Sequence, residues 1–230
     1  MKNDIVYVLK EGVDSDELRY SLRSVCKNFN FNEVWFYGGC PKDIQPDHWI
    51  QFSQVGLNKW HRTRSMYQAI FENDDITPDF FLFNDDFFIM RHYRQDLAIS
   101  NGTLDMQAYR IQCANSGFSR YTERLKHTAT ALRKRGFDTI SYECHVPMLI
   151  NREKALKLLT DFKKDTAFRS TYGNYYNIGG RLIDDYKIVK LDQEPDREKE
   201  IISTTEESFA KGKVGDYIKK KFPNKSKYEL

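Results

Sequence analysis

Two rhythms of apolar positions alternate along the N-terminal part of the chain. Residues 4–9, DIVYVL, are an unbroken β-branched and apolar run, which predicts a buried strand. A polar loop with Gly12 follows, and then SDELRYSLRSVCKNF changes to a helical period. Leu18, Leu22, Val25 and Cys26 fall on one face there, and Ser15 or Asp16 is the N-cap expected. EVWFY, 33–37, predicts a second strand, stopped by Gly38, Gly39 and Pro41. WIQFS, 49–53, predicts a third, and NKWHRTRSMYQAIF, 58–71, a helix with a cationic start. Pro78 then precedes FFLF, so a fourth strand is expected over 79–84. Strand and helix in alternation predict an α/β fold, Rossmann-like, with a mostly parallel sheet flanked by helices. Such sheets take ligands beyond the carboxyl ends of their strands.

The rest of the chain is less regular. SRYTERLKHTATALRKR, 119–135, predicts a basic helix ended by Gly136. TISYEC reads as extended, 152–164 as a helix, and DYKIVKL as a late strand. Residues 167–180 are rich in aromatics and glycine. From Ser208 onward, lysines 211, 213, 219, 220, 221, 225 and 227 dominate. The expected division is therefore a catalytic domain over 1–207, with its C-terminal part helical and irregular, and a basic tail over 208–230.

Composition narrows the class. Of 230 residues 40% are apolar and 14% aromatic, which supports a packed core and argues against disorder. A net charge of +3 is too small to signal nucleic-acid binding by the chain as a whole. The four cysteines, at 26, 40, 113 and 144, match no zinc spacing and are expected as reduced thiols. The first residues show no secretory leader, and no apolar stretch has the length of a membrane helix. A cytoplasmic protein is expected, with peripheral membrane contact left open.

Candidate chemistry begins with FLFNDDFFIM, 81–90, where Asn84, Asp85 and Asp86 interrupt an apolar run at the end of a strand. Adjacent carboxylates there suit Mg²⁺ or Mn²⁺, which takes few protein ligands and completes its shell with water and phosphate oxygens. A second copy of the tripeptide, Asn73-Asp74-Asp75, sits in a polar segment before Pro78 and predicts an ordinary turn. Lys59, His61, Arg62 and Arg64 cluster at a predicted helix start, where phosphates are favoured, although the two arginines do not share one face. His145, stiffened by Pro147, is a candidate acid or base, and Arg169 a candidate phosphate clamp.

Four stretches, DIVYVLKEG, ELRYSLRSV, FFLFNDDFF and ECHVPM with FRSTYGNYY, occur in the order of the Stealth family's regions, and the chain resembles that family over 4–180. Stealth proteins are sugar-phosphate transferases acting in polysaccharide synthesis and lysosomal targeting, with a fold similar to the GT-A nucleotide-sugar glycosyltransferases. The resemblance implies that Asp85 and Asp86 are catalytic and hold the metal, that Asn84 shapes the motif, and that His145 and Arg169 are active-site residues. Arg19, in the Glu-Leu-Arg-Tyr segment, would face the nucleotide; the family's Asn/Ser-rich stretch before the acidic motif is replaced by NKWHRTRSM here, so Lys59, Arg62 and Arg64 are substrate-binding candidates on the helix-start argument alone. The family's Tyr-Thr-Trp-Val-Asp-Gly is Tyr7-Val8-Leu9-Lys10-Glu11-Gly12 here. The implied function is transfer of a glycosyl group or a sugar 1-phosphate from a UDP-sugar-type donor to a carbohydrate hydroxyl. A polyanionic acceptor, either DNA with hydroxylated bases or an anionic cell-surface polymer, is the alternative, and a binding module without catalysis is the rival class.

Overall fold

The computed structural model describes residues 2–12, 14–53, 59–93, 99–114, 119–162 and 166–230. In chain order the elements begin with β1 (Asp4–Leu9), α1 (Asp16–Asn28), β2 (Val34–Gly38), β3 (His48–Ile50), α2 (Lys59–Phe71) and β4 (Asp79–Phe83). Next come β5 (Phe87–Ile89), β6 (Ile99–Ser100), α3 (Leu104–Ala114), α4 (Arg120–Arg133), β7 (Met148–Asn151) and α5 (Arg152–Asp161). The last are α6 (Phe168–Tyr175), β8 (Arg181–Leu182), β9 (Lys187–Ile188), β10 (Ile201–Thr204), α7 (Glu206–Lys211) and α8 (Lys213–Lys221). The chain forms two compact units. The first comprises Met1–Gln95, His145–Arg152 and Tyr186–Leu230, and the second Asp96–Cys144 and Glu153–Asp185.

The first unit is α/β. Its main sheet has the order β3-β2-β1-β4-β7; the first four strands are parallel, and β7 runs antiparallel to β4. Ile5 lies beside Val34 and Phe81, and Tyr7 beside Phe36 and Phe83, so these side chains share one face. α1 covers that face. Ser15 caps it, Leu18, Leu22 and Val25 are buried, and Tyr7 shares a 2.9 Å hydrogen bond with Ser21. Phe29, just past α1, meets Phe81 and Phe83 edge-on at 4.9 and 5.4 Å. Cys26, expected on the buried face, is exposed because it sits about 100° round the helix from Val25.

α2 covers the other face, where its Phe71 meets Phe80 at 6.2 Å. Parallel sheets need both faces covered, which explains why their strands read as continuous apolar runs. β3 is an edge strand of three residues with Trp49 and Ile50 exposed, shorter than the expected 49–53.

A second sheet in the same unit, β5-β10-β9, pairs β10 antiparallel to β5 and parallel to β9. Against it pack Phe209, Val214, Ile218 and Phe222 of the C-terminal helices, in one cluster with Phe88, Met90 and Ile202. Residues 208–230, expected as a basic tail, thus contribute to the first unit's core, with lysines 211, 213, 219, 220 and 221 on α7 and α8 and Lys225 and Lys227 beyond them.

In the second unit, α4 starts at a Ser119–Thr122 capping box, and Gly136 lies just beyond its end, as expected. The aromatic and glycine-rich segment forms α6, with Gly173 beneath the Tyr142 ring. Ser170 and Asn174 of α6 hydrogen-bond Glu143 and the Ile140 backbone. β6 and β8 form a two-stranded parallel ladder. All four cysteines are free thiols. Among the described residues no helix is long and apolar enough to cross a membrane.

Candidate functional site

β4 belongs to the main sheet and β5 to the small one, and Asn84-Asp85-Asp86 is the turn between them. Both flanks are therefore buried while the turn stands at the carboxyl edge of the parallel strands. Asn84 is exposed and the two aspartates are half-buried. Asp86 Oδ2 accepts hydrogen bonds from Lys187 Nζ at 2.9 Å and Ser203 Oγ at 3.0 Å. Its Oδ1 is buried and accepts none. An acceptor left so costs on the order of 1–3 kcal/mol, which a donor or cation arriving with a ligand would recover.

Asp85 precedes it in the same turn. Burial, with the adjacent Asp86 charge adding to it, pushes its carboxyl up to about 6. It lines a cavity of about 430 Å³ with Asp16, Glu17, Arg19, Phe209 and Lys219. Glu17, in the first turn of α1, is 8% exposed and accepts a hydrogen bond from Thr204 Oγ1. Burial pushes its carboxyl up to about 7; the Thr204 bond opposes this, and the Asp85 and Asp86 charges reinforce it.

Arg19 does line this cavity, but its guanidinium is occupied. It forms two bonds to Asp43, at 3.0 and 2.8 Å, one to Asp16 at 2.8 Å and one to Asp14 at 2.7 Å. It ties the β1–α1 loop to the segment after β2. The cation with lighter ties is Lys219, whose Nζ donates to the Phe209 carbonyl at 3.2 Å and lies over the Phe209 ring.

The other expected residues distribute as follows. Phe71 meets Phe80 at the start of β4, and Met66 Cε comes within 3.2 Å of where a Cβ on Gly38, at the end of β2, would stand. α2 therefore runs antiparallel to the strands and starts at the carboxyl edge. Arg62 there is exposed and Arg64 half-buried, and neither lines the cavity. The Lys59 side chain lies outside the described residues. Met148 pairs with Leu82, so His145, three residues upstream, emerges at the edge where Asn84 leaves β4. Arg169 belongs to the second unit, where it is 7% exposed and donates to the Cys144 carbonyl. The second tripeptide is a structural turn, with Asn73 bonded to Tyr37 and Asp74 paired with Arg152.

Glu17, Lys187, Ser203, Thr204 and Lys219 were not expected from the sequence. Glu17 reads as an ordinary acid near a helix N-terminus, favourable to the dipole. Lys187 lies 101 residues from Asp86, beyond any local pattern.

The carboxylates present suit a hard cation with few protein ligands. Among the described residues no three His, Cys, Asp or Glu side chains gather as a closed ligand set. Mg²⁺ and Mn²⁺ do not need one, because waters and substrate phosphates complete their shells. The orphaned Asp86 oxygen and the cavity-facing Asp85 are the ligands this chain offers.

No family model matches the chain. No curated protein matches it. Among solved structures it is similar to the glycosyltransferase GlyE of Streptococcus pneumoniae TIGR4, at 10% identity and a TM-score of 0.34, over 75% of this chain and 43% of that one. The apo form of GlyE gives 9% identity and a TM-score of 0.34, over 81% and 46% of the two chains. This chain spans less than half the length of those structures. Likeness at that level carries no weight for fold detail or chemistry, and the α/β assignment stands on the strand order itself.

Proposed function

We propose that the first unit is a nucleotide-sugar-dependent transferase whose donor lies over Asn84-Asp85-Asp86 and whose reacting groups meet in the cavity at the start of α1. One observation carries this reading: an acid at the carboxyl end of a parallel strand lines a substrate-sized cavity while its neighbour keeps a buried oxygen unpaired. Asp85 and Asp86 Oδ1 would hold Mn²⁺ or Mg²⁺, which when bound neutralises charge on the departing nucleotide.

The chain's own groups do the rest. Lys187 and Ser203 hold the Asp86 carboxylate in place. Lys219 supplies positive charge to the donor phosphates. Glu17, with its carboxyl near 7, accepts the proton of the acceptor hydroxyl. The acceptor oxygen then attacks one of two atoms. Attack at the anomeric carbon breaks the sugar–diphosphate bond and releases UDP. Attack at the distal phosphorus breaks the phosphoanhydride, releases UMP and transfers the sugar 1-phosphate, as the Stealth resemblance implies. His145 at the same edge is a further candidate for proton transfer.

The test is incubation with a panel of UDP-sugars and Mn²⁺, with released nucleotide resolved by chromatography. UDP supports glycosyl transfer and UMP supports sugar-phosphate transfer. Asp85→Asn and Asp86→Asn should each lower turnover by about 100-fold or more. UDP that binds equally well with and without Mn²⁺, together with full turnover in both variants, would rule the reading out.

A further inference from the structure

We propose that the hollow between α1 and the segment following α8 is a binding site for a phosphate group, separate from the cavity at Asp85 and independent of the catalytic reading. Arg23, Lys27, Lys221 and Lys225 line it together with Phe222. Its volume is about 240 Å³. Pockets for whole small molecules run from roughly 300 to 1,000 Å³, so this one suits a phosphoryl head group rather than a nucleotide.

The four cations are not equivalent. Arg23 is a strut. Its Nε and Nη2 bind the two carboxylate oxygens of Glu229 at 2.8 and 2.6 Å, and its Nη1 reaches the Phe222 carbonyl at 3.1 Å. That clamp holds the C-terminal segment against α1 and shapes the hollow. Lys27 and Lys221 have neutral contacts, whereas Lys225 also feels the Asp43 carboxylate. Lys27 Nζ stands 5.8 Å from the Phe222 ring centroid, Lys221 Nζ donates to Tyr217 Oη at 3.3 Å, and Lys225 Nζ donates to the main-chain oxygen of Leu230 at 2.6 Å. Among the described residues neither Lys27 nor Lys221 forms an ion pair with a side-chain carboxylate.

Three ammonium groups around one concavity repel each other, and a dianion within it turns that repulsion into attraction. The local charge excess is specific to this segment. Residues 208–230 hold seven lysines against two acids, whereas the whole chain is only +3. Lysine binds phosphate as a mobile point charge, which fits a hollow whose fixed wall is already provided by Arg23.

A phosphate monoester reaches such a site either free in solution or on a lipid. Calorimetry with inorganic phosphate tests the first source, and co-sedimentation with phosphatidic acid against phosphatidylcholine vesicles tests the second. The site variant carries Lys27→Met, Lys221→Met and Lys225→Met. A charge-matched control carries Lys2→Met, Lys190→Met and Lys211→Met, all at exposed positions. Thermal melts establish that both are folded.

The expected result is saturable binding to phosphate or to phosphatidic acid vesicles, weakened at least about tenfold in the site variant and unchanged in the control. Binding of free phosphate assigns a soluble ligand, and binding of vesicles alone assigns the lipid. Failure of the wild-type chain to bind either probe overturns the proposal. So does equal binding by the site variant, or equal loss in the control. No nucleotide sugar enters these assays, so their outcome is separate from that of the transferase test.

Discussion

At the scale of single residues, the first unit concentrates negative charge where solvent is scarce. Glu17 and Asp85 both hold protons more tightly than free carboxyls, chiefly through burial. A carboxyl raised from 4.5 to about 7 contributes stability that is complete below 4.5 and is lost as the pH rises through 7. Without divalent cations, the wild-type chain should therefore lose stability between roughly pH 4 and 7. Glu17→Gln should flatten that slope and, at pH 8, recover on the order of 2 kcal/mol. Urea titrations in EDTA at pH 5 and pH 8 measure both quantities, and an unchanged slope in the variant would refute the assignment. Asp85 and Asp86 could be singled out from the sequence because two charges inside FLFNDDFFIM contradict their surroundings. Glu17 and Lys219 could not, since an acid at the start of a helix and a lysine in a lysine-rich stretch each agree with theirs.

At the scale of elements, long runs were legible and short ones were not. β1, β2, β4, α1 and α4 carry five or more residues of consistent period, and each lies within a residue or two of its expected place. β5, β6, β8 and β10 have two to four residues, too few to establish a period, whereas β9 lies within the expected late strand DYKIVKL. α6 was hidden by its composition, since glycine and aromatics suggest a loop. Its glycine answers a packing need. A Cβ on Gly173 would stand 2.3 Å from Tyr142 Cδ2, whereas one on Gly136, at φ +77°, would meet nothing within 4 Å. Gly173→Ala should cost about 1–3 kcal/mol by overpacking. Gly136→Ala should cost about 1 kcal/mol, from backbone strain alone. Chemical denaturation of the two variants compares them directly. An equal cost would mean that the Tyr142 ring yields without resistance.

At the scale of the whole molecule, the C-terminal segment is the main revision. Phe209, Val214, Ile218 and Phe222 bury their side chains against Phe88 and Ile202. At about 1.5–3 kcal/mol for each fully buried large apolar side chain, the four contribute on the order of the net stability of a domain. A chain stopped after Glu207 should lose its cooperative thermal transition and expose apolar surface to a dye. A dispensable appendage would leave the melt unchanged. The same segment supplies Lys219 to the cavity at Asp85 and two lysines, Lys221 and Lys225, to the hollow beside α1, so the truncation removes parts of both.

The order of apolar runs determined the α/β class, the first four strands, their helices and the place where an acidic pair leaves the sheet, because each of these is encoded by neighbours in the chain. Tertiary structure decided what surrounds that pair. Lys187 and Ser203 reach Asp86 across 101 and 117 residues, and Thr204 reaches Glu17 across 187. Such pairings are set by how the small sheet closes against the main one, and no local period records them. The lysine-rich C-terminus shows the same division. Its charge is plain in the sequence, but its apolar positions gain meaning only once Phe88 and Ile202 stand opposite them.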